Sequence, residues 1–151
     1  MALKLSTGAA KKVMDTNPFK TVFNLCFIDI YSGTRPNDPD EAVPGDAVKL
    51  ATISNNGTAT GLTFEAAATA GELEKNASEV WSEDAVIATG SAAWFRMREA
   101  GTTGLGASTT EARIDGSIAT SGADLNLPTT SLVAGIPFTI QSAAFTLPRG
   151  V

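Results

Sequence analysis

The chain has 151 residues, a length that suits one domain with a single core. It carries 11 basic and 16 acidic residues and a net charge of −5, whereas proteins that bind nucleic acid rely on clustered Lys and Arg. It contains no histidine, which excludes Ser-His-Asp triads, Cys-His pairs and zinc sites that use histidine. These features favour a non-enzymatic domain without a nucleic acid partner.

The sequence also bears on redox chemistry and targeting. Its one cysteine, Cys26, cannot form an intramolecular disulfide, and the apolar run around it predicts a buried side chain rather than a reactive thiol. Residues 1–15 carry charges throughout, and nowhere does an apolar run reach the roughly 18 residues of a membrane span. We therefore expect neither a targeting peptide nor a membrane-spanning segment.

The first predicted element is a short helix near the N-terminus. Ser6 or Thr7 can cap it, and it would end at Asp15 because Asn17-Pro18 follows. After this helix, small residues and frequent glycines favour short strands joined by turns. The candidate strands are 21–31, 47–54, 61–65, 72–75, 79–81, 91–99, 113–120, 125–127 and 136–147.

Alternation along the strands assigns side chains to two faces. The apolar face takes Cys26, Ile28, Ile30, Phe95, Met97, Ile114 and Ile118. The opposite face takes Phe27, Asp29, Tyr31, Trp94, Arg96, Arg98, Arg113, Asp115 and Ser117. We expect Arg96 and Arg98 to be solvated, with their aliphatic stems covering Trp94.

Turn signals separate the strands. Loop 32–46 is rich in proline, glycine and acidic residues, and Asn56-Gly57 is typical of a tight turn. Loop 100–110 and its flanks predict a long hairpin. In 136–147 the apolar positions change from even to odd numbers, which predicts a β-bulge near Ser142-Ala143.

The pattern predicts a mainly β fold. About eight to ten strands, spaced roughly 8 to 12 residues apart, indicate an antiparallel β-sandwich or jelly roll with one short N-terminal helix. We expect residues 1–20 to form an N-terminal helical arm and residues 21–151 to form a single β-sandwich domain. No internal repeat or linker divides the sequence.

Two loops are compared with ligand sites. The glycine-rich stretch 101–108 lacks the following helix and lysine of nucleotide-binding loops, so we interpret it as a flexible hairpin tip. The acidic stretch 38–46 offers oxygen ligands for calcium, but the EF-hand spacing is missing and prolines interrupt it. We interpret it as a solvated acidic loop. Its carboxylates are Asp38, Asp40, Glu41 and Asp46.

Other residues are weighed as sites in the same way. A glycoside hydrolase needs two suitably spaced carboxylates, and no local motif selects a pair. The candidates are Asp29, Glu65, Glu99 and Asp115. Trp81 and Trp94 could form a sugar-stacking platform, but we favour packing in or beside the core. The triplet Asn76-Ala77-Ser78 matches a glycosylation site and is attributed to chance. We assign no catalytic, cofactor-binding or metal-binding residue and no cofactor.

Most of the chain consists of stretches that carry a family resemblance. They are LSTGAAKKVMD before KTVFN, IDIYSGTRP, ISNNGTATGLTF, LEKNASEVWS, ATGSAAWFRM, RIDGSIATSGADLNL and LVAGIPFTIQSAAFTLP. Together they resemble a family of small structural proteins from the virions of tailed bacteriophages. The resemblance implies a non-enzymatic β-rich component of the particle, present in many symmetric copies.

The implied role is a capsid decoration or minor capsid protein of a virion assembled in the bacterial cytoplasm. Its partners would be further copies of itself, for example in a trimer, and the major capsid protein. A collar, tail or baseplate protein is one alternative, and a carbohydrate- or receptor-binding β-module is another. The lysines of segment 1–20 could dock this arm on an acidic shell, or the helix could pack on its own sheet. They are Lys4, Lys11, Lys12 and Lys20.

Overall fold

The computed structural model describes residues 3–146 of the chain. The protein is mainly β, with 36% strand and 9% helix, and its sheets are antiparallel apart from one short parallel pair. The predicted mainly β class is confirmed, whereas a sandwich or jelly-roll arrangement stays a prediction. Across residues 3–146, neither helix has the length and apolar character needed to span a membrane.

Twelve strands are present in this described part. They are β1 (Lys4–Leu5), β2 (Phe27–Ser32), β3 (Val48–Asn55), β4 (Glu72–Glu74), β5 (Trp81–Glu83), β6 (Gly90–Ser91), β7 (Trp94–Arg98), β8 (Arg113–Ala119), β9 (Leu125–Asn126), β10 (Ser131–Leu132), β11 (Phe138–Ile140) and β12 (Ala144–Thr146). The main sheet has the order β1-β8-β7-β2-β3-β5-β11, and β9 pairs with β8 in parallel. Strand β10 pairs with β6 and β12 pairs with β4 in two separate two-stranded sheets. The predicted count of eight to ten was too low because strands of two or three residues leave little alternation to detect.

The predicted N-terminal helix is confirmed. Helix α1 (Thr7–Asp15) starts after Ser6, whose hydroxyl accepts a hydrogen bond from the Ala9 amide at 3.0 Å. The same hydroxyl accepts from the Arg113 amide at 2.9 Å, so the cap also joins the helix to β8. Strand β1, just before the helix, pairs with β8 at the edge of the main sheet. Segment 3–15 therefore packs on the sheet, and its proposed role as a docking arm stays a prediction.

A second helix replaces the start of the predicted strand 21–31. Helix α2 (Phe19–Val22) brings the rings of Phe19 and Phe23 to a centroid distance of 4.9 Å, the contact expected of residues four apart on a helix. Phe23 is fully buried. The strand prediction was wrong at this end, because the aromatic contact favours a helical turn and β2 begins only at Phe27.

The apolar face of the main sheet forms the core, as the alternation predicts. All seven residues assigned to that face are buried in one cluster. The register of β2 against β3 shifts between Ile30 and Tyr31, so that Ile30 pairs with Ala51 and Tyr31 pairs with Lys49. Leu50 is the extra residue of this β-bulge, and it too is fully buried.

The tight turn at Asn56-Gly57 is confirmed. Both residues have positive φ, 54° and 63°, which Asn and Gly adopt most easily, and Thr58 N donates to Asn55 O at 3.2 Å across the turn. The segment after the turn pairs through isolated bridges rather than as a continuous strand 61–65. Its predicted alternation nevertheless holds, since Leu62 and Phe64 are buried.

The C-terminal prediction of one long strand at 136–147 was wrong. Strand β11 pairs with β5 of the main sheet, whereas β12 pairs with β4 in another sheet. The apolar positions change phase because the two strands belong to different sheets, and no bulge at Ser142-Ala143 is needed. The longest described strand is β3, with eight residues. Leu147, the last residue of the predicted strand, lies outside the described residues.

Candidate functional site

A layer of charged side chains covers the face of the main sheet opposite the apolar core. Its members are Asp29 on β2, Arg96 and Arg98 on β7, and Arg113 and Asp115 on β8, and we call them the charged layer. Asp29, Arg96, Arg113 and Asp115 are at most 1% exposed, and the side chain of Arg98 is 13% exposed. The prediction that Arg96 and Arg98 are solvated was therefore wrong.

Arg96 and Asp115 form the centre of the charged layer. Nε and Nη2 of Arg96 donate to the two carboxylate oxygens of Asp115, each at 2.7 Å. The remaining Nη1 donates to the carbonyl oxygens of Gly104 at 2.8 Å and Glu41 at 3.2 Å. Burial raises the pKa of the Asp115 carboxyl, and the hydrogen bonds and positive charge of Arg96 oppose this rise. The fork of donors fixes the Arg96 side chain between the sheet and two loops.

Asp29 forms the second cluster of the layer. Its Oδ2 accepts a hydrogen bond from Arg98 Nε at 2.8 Å, and its Oδ1 accepts from the Thr52 hydroxyl at 2.7 Å. The ammonium group of Lys49 lies 3.2 Å from the same Oδ1. The Arg98 guanidinium also lies 4.8 Å from the centroid of the Phe27 ring, within cation–π range. The positive charges of Arg98 and Lys49 thus compensate the negative charge of Asp29.

Arg113 completes the layer on β8. Its Nη2 donates to Glu111 Oε2 at 2.5 Å, and its Nη1 donates to the carbonyl oxygen of Pro39 at 3.2 Å. The guanidinium is therefore held between loop 99–112, which contains Glu111, and loop 33–46, which contains Pro39. Each carboxylate of the layer has an arginine partner, since Arg98 donates to Asp29 and Arg96 donates to Asp115.

Two loops, 33–46 and 99–112, bury the charged layer. They are joined by backbone hydrogen bonds from Val43 N to Leu105 O and from Ser108 N to Asp40 O, both 2.8 Å. Arg96 donates to both loops, through Glu41 and Gly104. The arginines thus satisfy loop carbonyl oxygens that would otherwise be buried without a partner. We call the joined loops the loop platform.

The acidic stretch 38–46 is part of this platform. Asp40 accepts from the Thr7 amide at 2.9 Å, and Asp46 accepts from the Thr34 amide at 3.0 Å. The hydrogen bonds from Thr34 lower the pKa of the Asp46 carboxyl. In segment 3–146 no three acidic or Cys side chains come together in a group that could hold a metal ion. The carboxylates act as acceptors that shape the loop, and Asp38 and Glu41 do so as well, through Asp40 N and Asn37 N.

The glycine-rich stretch 101–108 forms the end of the predicted hairpin, which is confirmed as the antiparallel pair β7 and β8. Gly101 and Gly104 have φ of 79° and 65°, which favours glycine at both positions. Gly104 is buried, and its carbonyl oxygen accepts from Arg96. Arg98 Nη1 likewise donates to the Thr102 carbonyl oxygen. The tip is therefore held by the arginines beneath it.

The four candidate carboxylates do not converge on one cleft. Asp29 and Asp115 lie in the charged layer on either side of β7. Glu99 accepts from the Lys12 ammonium group at 2.6 Å and from the Ala112 amide at 2.9 Å. Glu65 accepts from the Ala77 amide at 2.6 Å, in a different part of the fold.

Both tryptophans are buried, which confirms the packing interpretation. Trp81 is fully buried, and its indole Nε1 donates to Glu79 Oε2 at 2.9 Å. Trp94 is 1% exposed and stacks on Tyr31, with ring centroids 4.4 Å apart and 11° between the planes. Neither ring offers a face on which a sugar could stack. The triplet at 76–78 forms a local turn, in which Asn76 Oδ1 accepts from the Ser78 amide at 3.0 Å.

An apolar groove of about 1600 Å³ lies on the core side of the main sheet. Ile28 and Phe95 of the sheet line it, as do Val13 of α1, Leu125 of β9 and Phe145 of β12. Its lining also includes charged side chains of both signs, namely Lys20, Glu72, Glu74, Lys75 and Asp124. We call this feature the apolar groove.

The lysines of segment 1–20 mostly bind this protein's own residues. Lys12 pairs with Glu99, Lys4 Nζ donates to the Asn37 carbonyl oxygen, and Lys20 Nζ donates to the Ala66 carbonyl oxygen at 2.7 Å. Lys11 is exposed. These contacts support packing of the segment on its own domain.

Comparison of the chain with family models, with curated proteins and with solved structures finds no significant match in any of the three. The charged layer and the apolar groove are therefore described from geometry alone. Sequence reasoning missed both of them. For the layer a signal was available, because the charged residues of the two predicted strands share the face opposite the core, and pairing these strands as a hairpin places Arg96 opposite Asp115.

Proposed function

We propose that this chain is a non-enzymatic structural component of a tailed-phage virion, a capsid decoration or minor capsid protein that works through protein–protein contacts in many copies. Its proposed partners are further copies of itself and the major capsid protein. The phage setting comes from the sequence resemblance. The main support for a role in protein–protein contacts is the number of large apolar side chains that this acidic chain leaves exposed.

Nine large apolar side chains are at least 43% exposed among the described residues. They are Leu5, Met14, Leu25, Val48, Val80, Ile87, Leu105, Val133 and Ile136. Single exposed apolar residues are ordinary, and the apolar groove adds a concave apolar surface of the kind to which other proteins bind. A chain that acts through such contacts needs rigid surfaces rather than reactive groups.

The charged layer supports the same proposal. Arg96 and Asp115 are paired with each other and hold the loop platform in place, so their charges serve structure. Burial also raises the pKa of the Cys26 thiol to about 12, which keeps this potential nucleophile neutral. We further propose the β-sandwich or jelly-roll arrangement that the number and spacing of the predicted strands indicate, with the core between facing sheets.

A position in the collar, tail or baseplate is the alternative within the same class, since such proteins also act through β-domain contacts. For a carbohydrate-binding module the sequence offered Trp81 and Trp94 as stacking residues. Both are buried, so no observation favours that function.

The test is quantitative peptide mass spectrometry of purified particles made by the genome that encodes this chain. The proposal predicts that the chain copurifies with particles in a copy number comparable to that of the major capsid protein. A handful of copies per particle would favour the collar, tail or baseplate alternative. Absence from the particles, or turnover of a substrate by the purified chain, would contradict the proposal.

A further inference from the structure

Helix α1 packs on the protein with one side and faces solvent with the other. Gly8 and Ala9 are buried, as the packed side of a surface helix requires. The exposed residues recur at positions i, i+3, i+4 and i+7, which lie on one face of a helix. They are Thr7, Ala10, Lys11 and Met14, with Asp15 at the edge of the face. We call these residues the outer face of α1.

Met14 is the main apolar residue of this outer face. It is 86% exposed, the highest value among the exposed large apolar side chains of the described residues. The solvent side of an amphipathic helix is normally polar. Methionine is enriched where proteins bind one another, because its flexible thioether side chain adapts to an apolar surface. The outer face thus presents an apolar side chain that the fold itself does not use.

The outer face belongs to a segment whose charge is opposite to that of the whole chain. Residues 3–20 carry four lysines and one aspartate, whereas the chain has a net charge of −5. Lys12 forms an ion pair with Glu99 at 2.6 Å. The lysines without a carboxylate partner among the described residues are Lys4, Lys11 and Lys20. The segment therefore keeps positive charge that the protein itself does not neutralise.

The outer face is fixed in position before any partner binds. Ser6 caps the helix, and its hydroxyl also accepts a hydrogen bond from the Arg113 amide of β8 at 2.9 Å. The ion pair between Lys12 and Glu99 joins the middle of the helix to the residue that follows β7. A contact surface on a fixed helix loses less conformational entropy on binding than a flexible arm does.

We propose that the outer face of α1 binds an acidic surface of another protein of the particle. Met14 packs against an apolar part of that surface, and Lys11 pairs with one of its carboxylates. This inference rests on the proposed structural role and specifies the contact that attaches the chain. The partner is acidic because negative charge attracts segment 3–20 and repels the rest of the chain, which favours one orientation of binding. Two copies of a chain with a net charge of −5 repel each other, so the partner is a different protein.

Oxidation by hydrogen peroxide measures whether Met14 is covered. The thioether sulfur attacks one peroxide oxygen, the O–O bond breaks, and the sulfur gains that oxygen as a sulfoxide while the peroxide is reduced to water. Peptide mass spectrometry then quantifies the sulfoxide in the free full-length chain and in purified particles. We expect Met14 to react readily in the free chain and at least tenfold more slowly in particles. The internal reference is Met97, which is fully buried and should react only after denaturation.

Two pairs of variants test the residues of the contact. Met14→Asp places a negative charge on the outer face, and Ser121→Asp makes the same charge change at another exposed position. Lys11→Gln removes the positive charge of Lys11, and Lys11→Arg keeps it. Circular dichroism establishes that each variant is folded.

Competition during assembly gives the effect of each variant. The variant and the unmodified chain are produced together, and peptide mass spectrometry compares their ratio in particles with their ratio in the cell. We expect incorporation to fall at least tenfold for Met14→Asp and about threefold for Lys11→Gln, since a charge pair at the rim of an interface contributes little. Ser121→Asp and Lys11→Arg should be incorporated like the unmodified chain.

Several results would overturn the inference. One is equal oxidation of Met14 in the free chain and in particles, and another is incorporation of Met14→Asp or Lys11→Gln at the level of its control. A third is protection of Met14 that grows with the concentration of the purified chain, because the partner would then be a second copy. A chain that is present in particles with Met14 still reactive would reject this contact but keep the proposed function. A chain that is absent from particles would reject both.

Discussion

Arg96 and Asp115 face each other across β7 and β8 in a fully buried ion pair with two hydrogen bonds of 2.7 Å. The pair lies on the side of the sheet that alternation assigns to solvent. It is buried because Arg96 also binds the carbonyl oxygens of Glu41 and Gly104, one from each loop of the platform. The buried pair therefore helps to hold in place the loop platform, which forms part of the protein surface.

Removal of one partner of this pair should be strongly destabilising. Asp115→Asn leaves the Arg96 charge buried without its counter-ion, and we expect the free energy of unfolding to fall by about 3 to 5 kcal/mol. Urea denaturation measures this loss. A loss below about 1 kcal/mol for Asp115→Asn would mean that the pair contributes little beyond a surface salt bridge.

The contact of helix α1 with the sheet depends on a glycine. A Cβ at Gly8 would clash with the carbonyl oxygen of Glu111, in backbone that cannot move aside easily. We expect Gly8→Ala to lower stability by about 1 to 3 kcal/mol, the usual range for overpacking. Gly106→Ala is the matched control, since a Cβ there has open space and φ is not positive. Equal melting temperatures for the two variants would show that α1 does not pack closely on loop 99–112.

The Cys26 thiol should not react in the folded protein. It is fully buried, and burial raises its pKa to about 12, so thiolate is scarce at neutral pH. A thiol reagent at mildly alkaline pH should label the chain only after denaturation, with one equivalent bound per chain, and Cys26→Ala supplies the blank. Rapid labelling of the native protein would contradict the burial of Cys26, which directly precedes β2.

Tyr31 gives a test of alkaline stability. Burial, followed by the charge of Asp29, raises the pKa of the Tyr31 phenol above its ordinary value near 10. The unfolded chain then loses this proton first, so the free energy of unfolding falls as pH rises above about 10. Tyr31→Phe removes this contribution and should show a smaller decline. Because the chain has one tyrosine, tyrosinate absorbance follows the same titration directly.

The same variant, Tyr31→Phe, measures the free-energy cost of burying the Tyr31 hydroxyl. The Tyr31 hydroxyl is buried without a hydrogen-bond partner among the described residues. We therefore expect Tyr31→Phe to keep the stability at neutral pH within about 1 kcal/mol or to increase it. A clear loss of stability at neutral pH would mean that the hydroxyl has a partner, such as an ordered water.

Sequence patterns predicted the elements that depend on interactions between residues close together in the chain. Alternation identified the apolar face of β2, β7 and β8 because a strand places successive side chains on opposite faces. Ser6 and Asn56-Gly57 were found because a helix cap and a tight turn each depend on a few adjacent residues. The helix at Phe19 was missed because its four residues, FKTV, are too few to show a helical period.

Long-range contacts decided the rest. Whether Arg96 is solvated depends on loops 33–46 and 99–112, which lie outside the strand and fold back over it, so no pattern within 91–99 can reveal it. The phase change in 136–147 was a true signal, but a bulge and a change of sheet produce the same phase change. The apolar groove is formed by segments from both ends of the chain, so it could not be predicted before the topology was known.

The central claim is that this chain functions by presenting rigid surfaces to neighbouring subunits in a phage particle. The most direct test is a cryo-electron microscopy reconstruction of the particle, with the chain fitted to density through the loop platform and the buried Tyr31–Trp94 stack. We expect many symmetric copies of the chain on the icosahedral shell, each touching other protein subunits. Particles whose protein density leaves no place for this chain would contradict it.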